Sequence, residues 1–304
     1  MNTLFSLTKR NVKLFFKDKA RFFTSLITPV ILLVLFITFL GDIYRDGFKN
    51  NLAQFQISDK LVNAFAGGQV VACILAVSCV TVAFCSNFLM VQDKVTGTIK
   101  DFTSSPAKPW IIALSYFLAT LISTLFVCYL GAAACFIYLA VVGFYRTAVD
   151  VILLLVDIFL LTLFGTALSS LINFFLSTQG QISAVGTIVS AGYGFICGAY
   201  RPINSMGKGL QVFTSFLPNV YGTILTRQHC LNGARTALKD EGVPQVAIDK
   251  ISDYFDLNFY FFDHKVPSYA RYIILISSIL VLIAVYVALN YIKRRKKKFI
   301  RLKK

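Results

Sequence analysis

The stretch FFTSLITPVILLVLFITFL, residues 22–40, decides the class of fold. It carries no charge over 19 residues, and a helix of about 20 apolar residues crosses the hydrocarbon core of a bilayer. Five further stretches share the property. Residues 64–90 are uncharged, 110–143 are apolar throughout, 151–172 hold one carboxylate at Asp157, 181–199 are rich in Gly and Ser, and 269–291 are charged only at Arg271. Composition agrees. Of the 304 residues 57% are apolar and 14% charged, against about 25% charged in soluble domains, and the mean hydropathy is +0.70. The chain reads as an all-α integral membrane protein with six transmembrane helices. The 34 residues of 110–143 make one long helix rather than a hairpin broken near Gly131, because a seventh span would put a strongly basic tail outside.

Charge sets the orientation. The segment before the first span, the loop at 91–109 and the tail after the last span together hold 18 basic residues against three acidic ones, +15 of the chain's net +16. Cations collect on the cytoplasmic side, so both termini of this multi-pass protein are expected there. The six basic residues ahead of the first span and the lack of a small-residue cleavage site make that span a retained anchor rather than a signal peptide. Basic segments that flank spans without aromatic platforms point to membrane lipids and not to nucleic acid.

The remaining segments divide accordingly. Residues 1–21 place Leu4, Phe5, Val12, Phe15 and Phe16 on one arc of a helix and Lys9, Arg10, Lys13 and Lys17 on the next, an amphipathic helix in the cytoplasmic interface. Residues 22–199 hold spans one to five, with the cytoplasmic loop 91–109 (VQDKVTGTIKDFTSSPAKP) between the second and third. In that loop Val95, Ile99 and Phe102 give a short helix one apolar face. The external segment 200–268 is expected to contain two short re-entrant helices within 209–231, interrupted by Pro218 and Gly222, and a small polar cap over 232–267; 269–304 are the last span and the basic cytoplasmic tail.

Motifs for chemistry are absent from the sequence. It has no G-x-x-x-x-G-K-[ST] loop to cradle a nucleotide, no H-E-x-x-H and no G-x-S-x-G; the two histidines, His229 and His264, fall in the external segment, and the seven cysteines show no C-x-x-C spacing. No enzymatic activity, cofactor or metal is expected. Asp157 stands out as an intramembrane acid, costly unless it meets a partner or water. It either lines a translocation path, pairs with an arginine such as Arg146 or Arg201, or is simply a snorkelling or protonated acid. Ser190, Gly194 and Gly198 recur every four residues, a smooth strip for close helix approach within the chain or across a subunit interface.

Four segments in this order resemble the membrane permeases of bacterial ABC-2-type exporters: RNVKLFFKDKARFFTSLITPVILLVLF (10–36), QDKVTGTIKDFTSSPAKPW (92–110), the end of the fifth span at 198–202, and FLPNVYGTILTRQ (216–228). The resemblance implies a half-transporter. A second permease chain, identical or different, would complete the pore, and two copies of a separate ABC ATPase subunit would drive outward movement of a drug, lipid or glycan-type substrate. The loop residues Val95, Gly97, Ile99, Phe102 and Pro106 would receive the ATPase stroke. An ion-coupled secondary transporter is the alternative; it would want internal repeats and several titratable groups in the spans, where the sequence offers only Asp157.

The topology is checked by cysteine labelling in intact cells: substitutions at Lys49 and Asn232 are expected to label from outside and those at Lys100 and Lys297 to be shielded. External labelling at position 297 contradicts six spans.

Overall fold

Inside a bilayer every backbone polar group must be satisfied within the protein, which leaves helices as the economical element. A computed structural model of the chain describes residues 2–36, 38, 41–52, 54–55, 57–105, 107–143, 145–262 and 264–302. Helices α1 (Asn2–Lys17), α2 (Lys19–Leu35), α3 (Gly41–Asn51), α4 (Asp59–Val95), α5 (Thr98–Ser104) and α6 (Pro109–Val142) make the first half. Helices α7 (Ala148–Phe175), α8 (Gln179–Ile196), α9 (Lys208–Ser215), α10 (Pro218–Asp240), α11 (Gln245–Tyr254) and α12 (Ser268–Leu302) make the second. A two-stranded antiparallel hairpin, β1 (Tyr260–Phe261) and β2 (His264–Lys265), precedes α12.

Local chemistry explains where the helices begin. The Asp18 carboxylate accepts from the Arg21 N–H and opens α2, and Ser58 does the same for α4 through Leu61. Reciprocal capping boxes, Thr147 with Asp150 and Thr178 with Gln181, open α7 and α8. Proline occupies the first turn of α6 and of α10, where its missing N–H costs nothing. Gly97 separates α4 from α5 at φ +83°, a left-handed conformation that glycine adopts without penalty.

Among the described residues, four helices are long and apolar enough to cross a membrane: Asp59–Val95, Pro109–Val142, Ala148–Phe175 and Ser268–Ile292. The third expected span runs unbroken through Gly131. The remaining two expected spans fall on α2, with 17 residues, and on α8, with 18 residues that include two glutamines and four glycines. Polarity keeps α8 outside the group of four, and residues 37, 39 and 40 of the expected first span lie outside the described residues.

Packing centres on α4. The most apolar 18-residue window of this helix is entirely buried, enclosed by α2, α6, α7, α8 and α10. Close approach depends on glycine where backbone meets backbone: a Cβ on Gly165 of α7 would lie 2.8 Å from the Cys79 carbonyl oxygen and 2.9 Å from Val80 Cα.

The region after α8 differs from expectation. The chain does break before Pro218, but α10 then continues for 23 residues to Asp240, through Gly222. Gly222 permits contact with α7, since a Cβ there would sit 2.5 Å from a Leu161 methyl. Tertiary packing outweighs its helix cost of about 1 kcal/mol. In the middle of α10 Arg227 pairs with Asp256 at 2.8 Å, both side chains 1% exposed or less. Arg227 also donates to the Gly198 and Phe255 carbonyls. Asp256 accepts from the N–H groups of Ile203 and Asn204. This pair fastens the segment after α8 to the one after α11.

Gly165→Val should lower the thermal stability of detergent-extracted protein by about 1–3 kcal/mol, the range for overpacking. Gly131→Ala, where nothing lies within 4 Å of the added methyl, should be neutral or stabilising by up to about 1 kcal/mol. Equal melting of the two variants would contradict close packing at Gly165.

Candidate functional site

The end of α4 carries Asp93 and Lys94, consecutive residues that a helix turns roughly 100° apart. They bind different neighbours. Asp93 accepts from Arg10 Nη1 of α1 at 2.6 Å and from the Tyr116 hydroxyl of α6 at 2.5 Å. Burial alone would lower the Arg10 pKa, but the hydrogen bond to Asp93 and its charge raise it above the ordinary arginine value. The guanidinium also lies 4.9 Å from the centre of the Phe102 ring. Lys94 Nζ donates to the carbonyls of Asn173, Phe174 and Leu176 at 2.7, 3.0 and 2.9 Å. Those carbonyls end α7, where intrahelical partners run out and the helix dipole is negative. One pair of side chains therefore joins α4 to α1, α6 and α7.

Helix α5 hangs directly from this knot. Ile99 and Phe102 pack against Leu89, Met90, Ile112 and Tyr116, with Leu7 and Leu14 of α1 alongside. Both are half-buried in their own chain, while Val95 is 44% exposed. Gly97 supplies the bend, and Pro106 lies outside the described residues. Thus the sequence places Val95, Ile99 and Phe102 on one face, and the structure turns two of the three inward. Arg10, read from sequence as a headgroup cation, is turned inward as well. Nearby, Arg21 contacts Asp18 and Gln92, and the Arg21 N–H followed by its guanidinium holds the Asp18 carboxyl below the usual carboxylate range.

Between α2 and α8, with α4 behind them, runs a groove of about 1320 Å³. Asp18, Arg21, Gln92 and Gln179 line one end, and Tyr44, Tyr200, Arg201 and Tyr254 the other. The walls between are apolar at Ile27, Ile31, Phe88 and Ile182 and hydroxylated at Thr24, Ser183, Thr187 and Ser190. Such a surface suits an amphipathic molecule or another apolar helix. Of the small-residue strip only Ser190 faces the groove. A Cβ on Gly194 would collide with the Tyr200 ring, and Gly198, at φ +72°, is closed over by Ile203.

Asp157 has partners that the sequence reading did not name. Its carboxylate, 1% exposed, meets His229 Nδ1 of α10 at 2.5 Å and the Tyr272 hydroxyl of α12 at 2.8 Å. The expected arginines are engaged elsewhere: Arg146 donates to the Cys230 carbonyl and Arg201 lines the groove. His229 is buried among helices rather than exposed outside, because α10 packs against both α7 and α12. The one available signal was the polar run Arg227, Gln228 and His229 set between the apolar pairs Ile224–Leu225 and Cys230–Leu231.

Asp157→Ala strands the buried His229 and Tyr272 and should cost about 1–3 kcal/mol of stability in detergent. A cycle with Tyr272→Phe should show coupling of about 0.5 kcal/mol or more. Additive losses would mean that the two side chains do not interact.

The model of the family described as ABC-2 type transporter matches residues 2–229, from α1 to the middle of α10. Comparison with curated proteins gives no match. The family match takes in the knot, the groove except Tyr254, and the Asp157 cluster up to His229, about three-quarters of the 304 residues. The chain is a membrane permease belonging to the ABC-2 type transporter family.

Proposed function

We propose that this chain is one half of an ATP-driven exporter in the bacterial cell membrane. It works with a second permease chain, the same or related, and with two copies of a separate ABC ATPase. In this reading α2 and α8 are the first and fifth of six spans, both termini are cytoplasmic, and α9 with the first part of α10 forms the re-entrant pair. The cargo is a drug, lipid or glycan-type molecule that moves outward along the α2–α8 groove once the second chain covers it. The polar residues 232–267 cap the outer side.

The observation that carries the reading is the Asp93–Lys94 knot beneath α4. An ATPase docking on the loop 91–109 meets the exposed edge of α5, with Val95, Lys100 and Asp101 outward. Because α5 shares apolar contacts with α1 and α6, and because Lys94 grips α7, a push there moves α1, α4, α6 and α7 together. Helices α2 and α8 pack on α4 but are not held by Asp93 or Lys94, so relative motion is expected at the groove between them. Asp157 supports ATP rather than an ion gradient as the driving force: its carboxylate is closed in by His229 and Tyr272 and is not among the groove-lining residues. The sequence lacks a nucleotide-cradling loop, so hydrolysis belongs to the partner.

Two measurements test this. The purified chain should hydrolyse no ATP until the ATPase is co-expressed with it. In the complex, Lys94→Met removes charge-assisted hydrogen bonds of roughly 1.5–3 kcal/mol each and should cut cargo moved per ATP by about tenfold or more, with assembly retained. Full transport by Lys94→Met and by the Ile99→Asp, Phe102→Asp double variant would contradict the assignment.

A further inference from the structure

One apolar surface belongs to neither the groove nor the knot. The β1–β2 hairpin pairs Tyr260 with Lys265 and Phe261 with His264. Its base is fixed firmly. Val266 N–H donates to the Phe259 carbonyl at 2.8 Å, and Phe259, 1% exposed, packs with Val220, Tyr221 and Ile224. Arg271 donates to the Val266 and Leu257 carbonyls at 3.0 and 3.2 Å. The Tyr260 hydroxyl reaches Asp253 of α11.

The tip is unlike the base. Phe262 is 58% exposed and sits at φ +45°. A tight hairpin turn calls for left-handed backbone, which Asn or Gly normally provides and a bulky aromatic rarely adopts. Beside it α9 exposes Leu210, Phe213 and Phe216 at 57–63%. The Phe216 ring lies 5.5 Å from Phe261 and 6.1 Å from Phe262. In water, strain and exposure would both be unfavourable at the same residue.

Continuity identifies what covers this patch. β2 ends at Lys265 and the spanning helix α12 begins at Ser268, so the hairpin stands within about 10 Å of chain from the start of that span. The outward side chains there, Tyr269, Ile273 and Leu280, are 61–70% exposed, the lipid-facing side of a transmembrane helix. The aromatic tip extends that lipid-facing side past the helix end, and exposed lysines at 208 and 265 flank it, placed to reach headgroup phosphates.

We propose that the Phe262 tip, backed by α9, is a lipid-binding surface embedded in the phospholipid leaflet at the α12 N-terminal end, the outer leaflet in the orientation proposed above. The hairpin is a rigid peg: its buried base ties α11 and α12 together, and its aromatic tip holds the region after α10 at the acyl–headgroup boundary.

Tryptophan fluorescence tests the depth directly, without any transport assay. The sequence has a single tryptophan, Trp110, so Trp110→Phe gives a silent background for Phe262→Trp in phosphatidylcholine vesicles. The expected result is blue-shifted emission, strong quenching by phosphatidylcholine brominated at shallow acyl positions, and protection from iodide. Val246→Trp, on the exposed side of α11 at 69%, should show the reverse. Phe213→Trp reads the same surface from α9 and carries the test if Phe262→Trp does not fold. Red-shifted, iodide-quenched emission would place the tip in water and overturn the proposal. Shielding from both quenchers would overturn it too, by showing that a second copy of the chain or another protein covers the tip.

Discussion

Lipid can cover an apolar helix but cannot satisfy a buried amide or hydroxyl, and α4, which carries Gln69, Ser78, Thr81, Ser86 and Asn87 along its buried length, imposes that constraint on the whole molecule. Its apolar window is completely buried, whereas α6 and α12 bury only 22% and 17% of theirs and turn the rest outward. Helices α2, α6, α7, α8 and α10 surround α4, and its two buried amides meet polar neighbours inside. Asn87 donates to the hydroxyls of Ser169 and Ser170 at 3.0 and 2.9 Å. Gln69, 0% exposed, faces the Cys73 sulfur. Between Lys60 and Asp93 the helix carries no charge, and at its C-terminal end Asp93 and Lys94 divide the neighbouring helices between them.

Three charged clusters sit at different places along the bundle. Arg10–Asp93–Tyr116 lies at the α5 end, Asp157–His229–Tyr272 joins α7, α10 and α12, and Arg227–Asp256 closes the segment after α8. Each links residues far apart in sequence. Buried pairs contribute little net stability once desolvation is counted, but breaking one by removing a single partner is expensive. Their value here is registry: a helix that slides or rotates strands a charge in an apolar interior.

Much of the architecture was legible because hydropathy reports length and burial directly. The six apolar stretches coincide with α2, α4, α6, α7, α8 and α12, and the loop motif falls at α5. Partnerships were not legible. Asp157 and His229 are 72 residues apart, and no local periodicity links them. Helix α10 is longer than the short re-entrant helices expected because Gly222, read as an interruption, is a packing contact with Leu161 inside a continuous helix, and Arg227, Gln228 and His229 find partners inside: Arg227 in Asp256, Gln228 in Arg271 and Ser268, His229 in Asp157. The wheel placed Val95, Ile99 and Phe102 on one face but could not say that the face was already occupied by α1 and α6. The Ser190, Gly194, Gly198 strip failed as a unit for a similar reason, since Tyr200 folds back onto Gly194 within a few residues.

The central claim is that motion entering at α5 leaves at the α2–α8 groove, and a distance across that groove measures it. Spin labels at Ile31 of α2 and Thr187 of α8, both groove-lining, can be read by pulsed dipolar spectroscopy in reconstituted complex; the seven native cysteines are buried or half-buried and poorly open to aqueous label. The account predicts one Ile31–Thr187 distance for the permease with nucleotide-free ATPase and a shifted distribution when ATP and vanadate trap the ATPase closed, with no shift if the ATPase is omitted. An unchanged distribution in the trapped complex, in a preparation that transports, would contradict it.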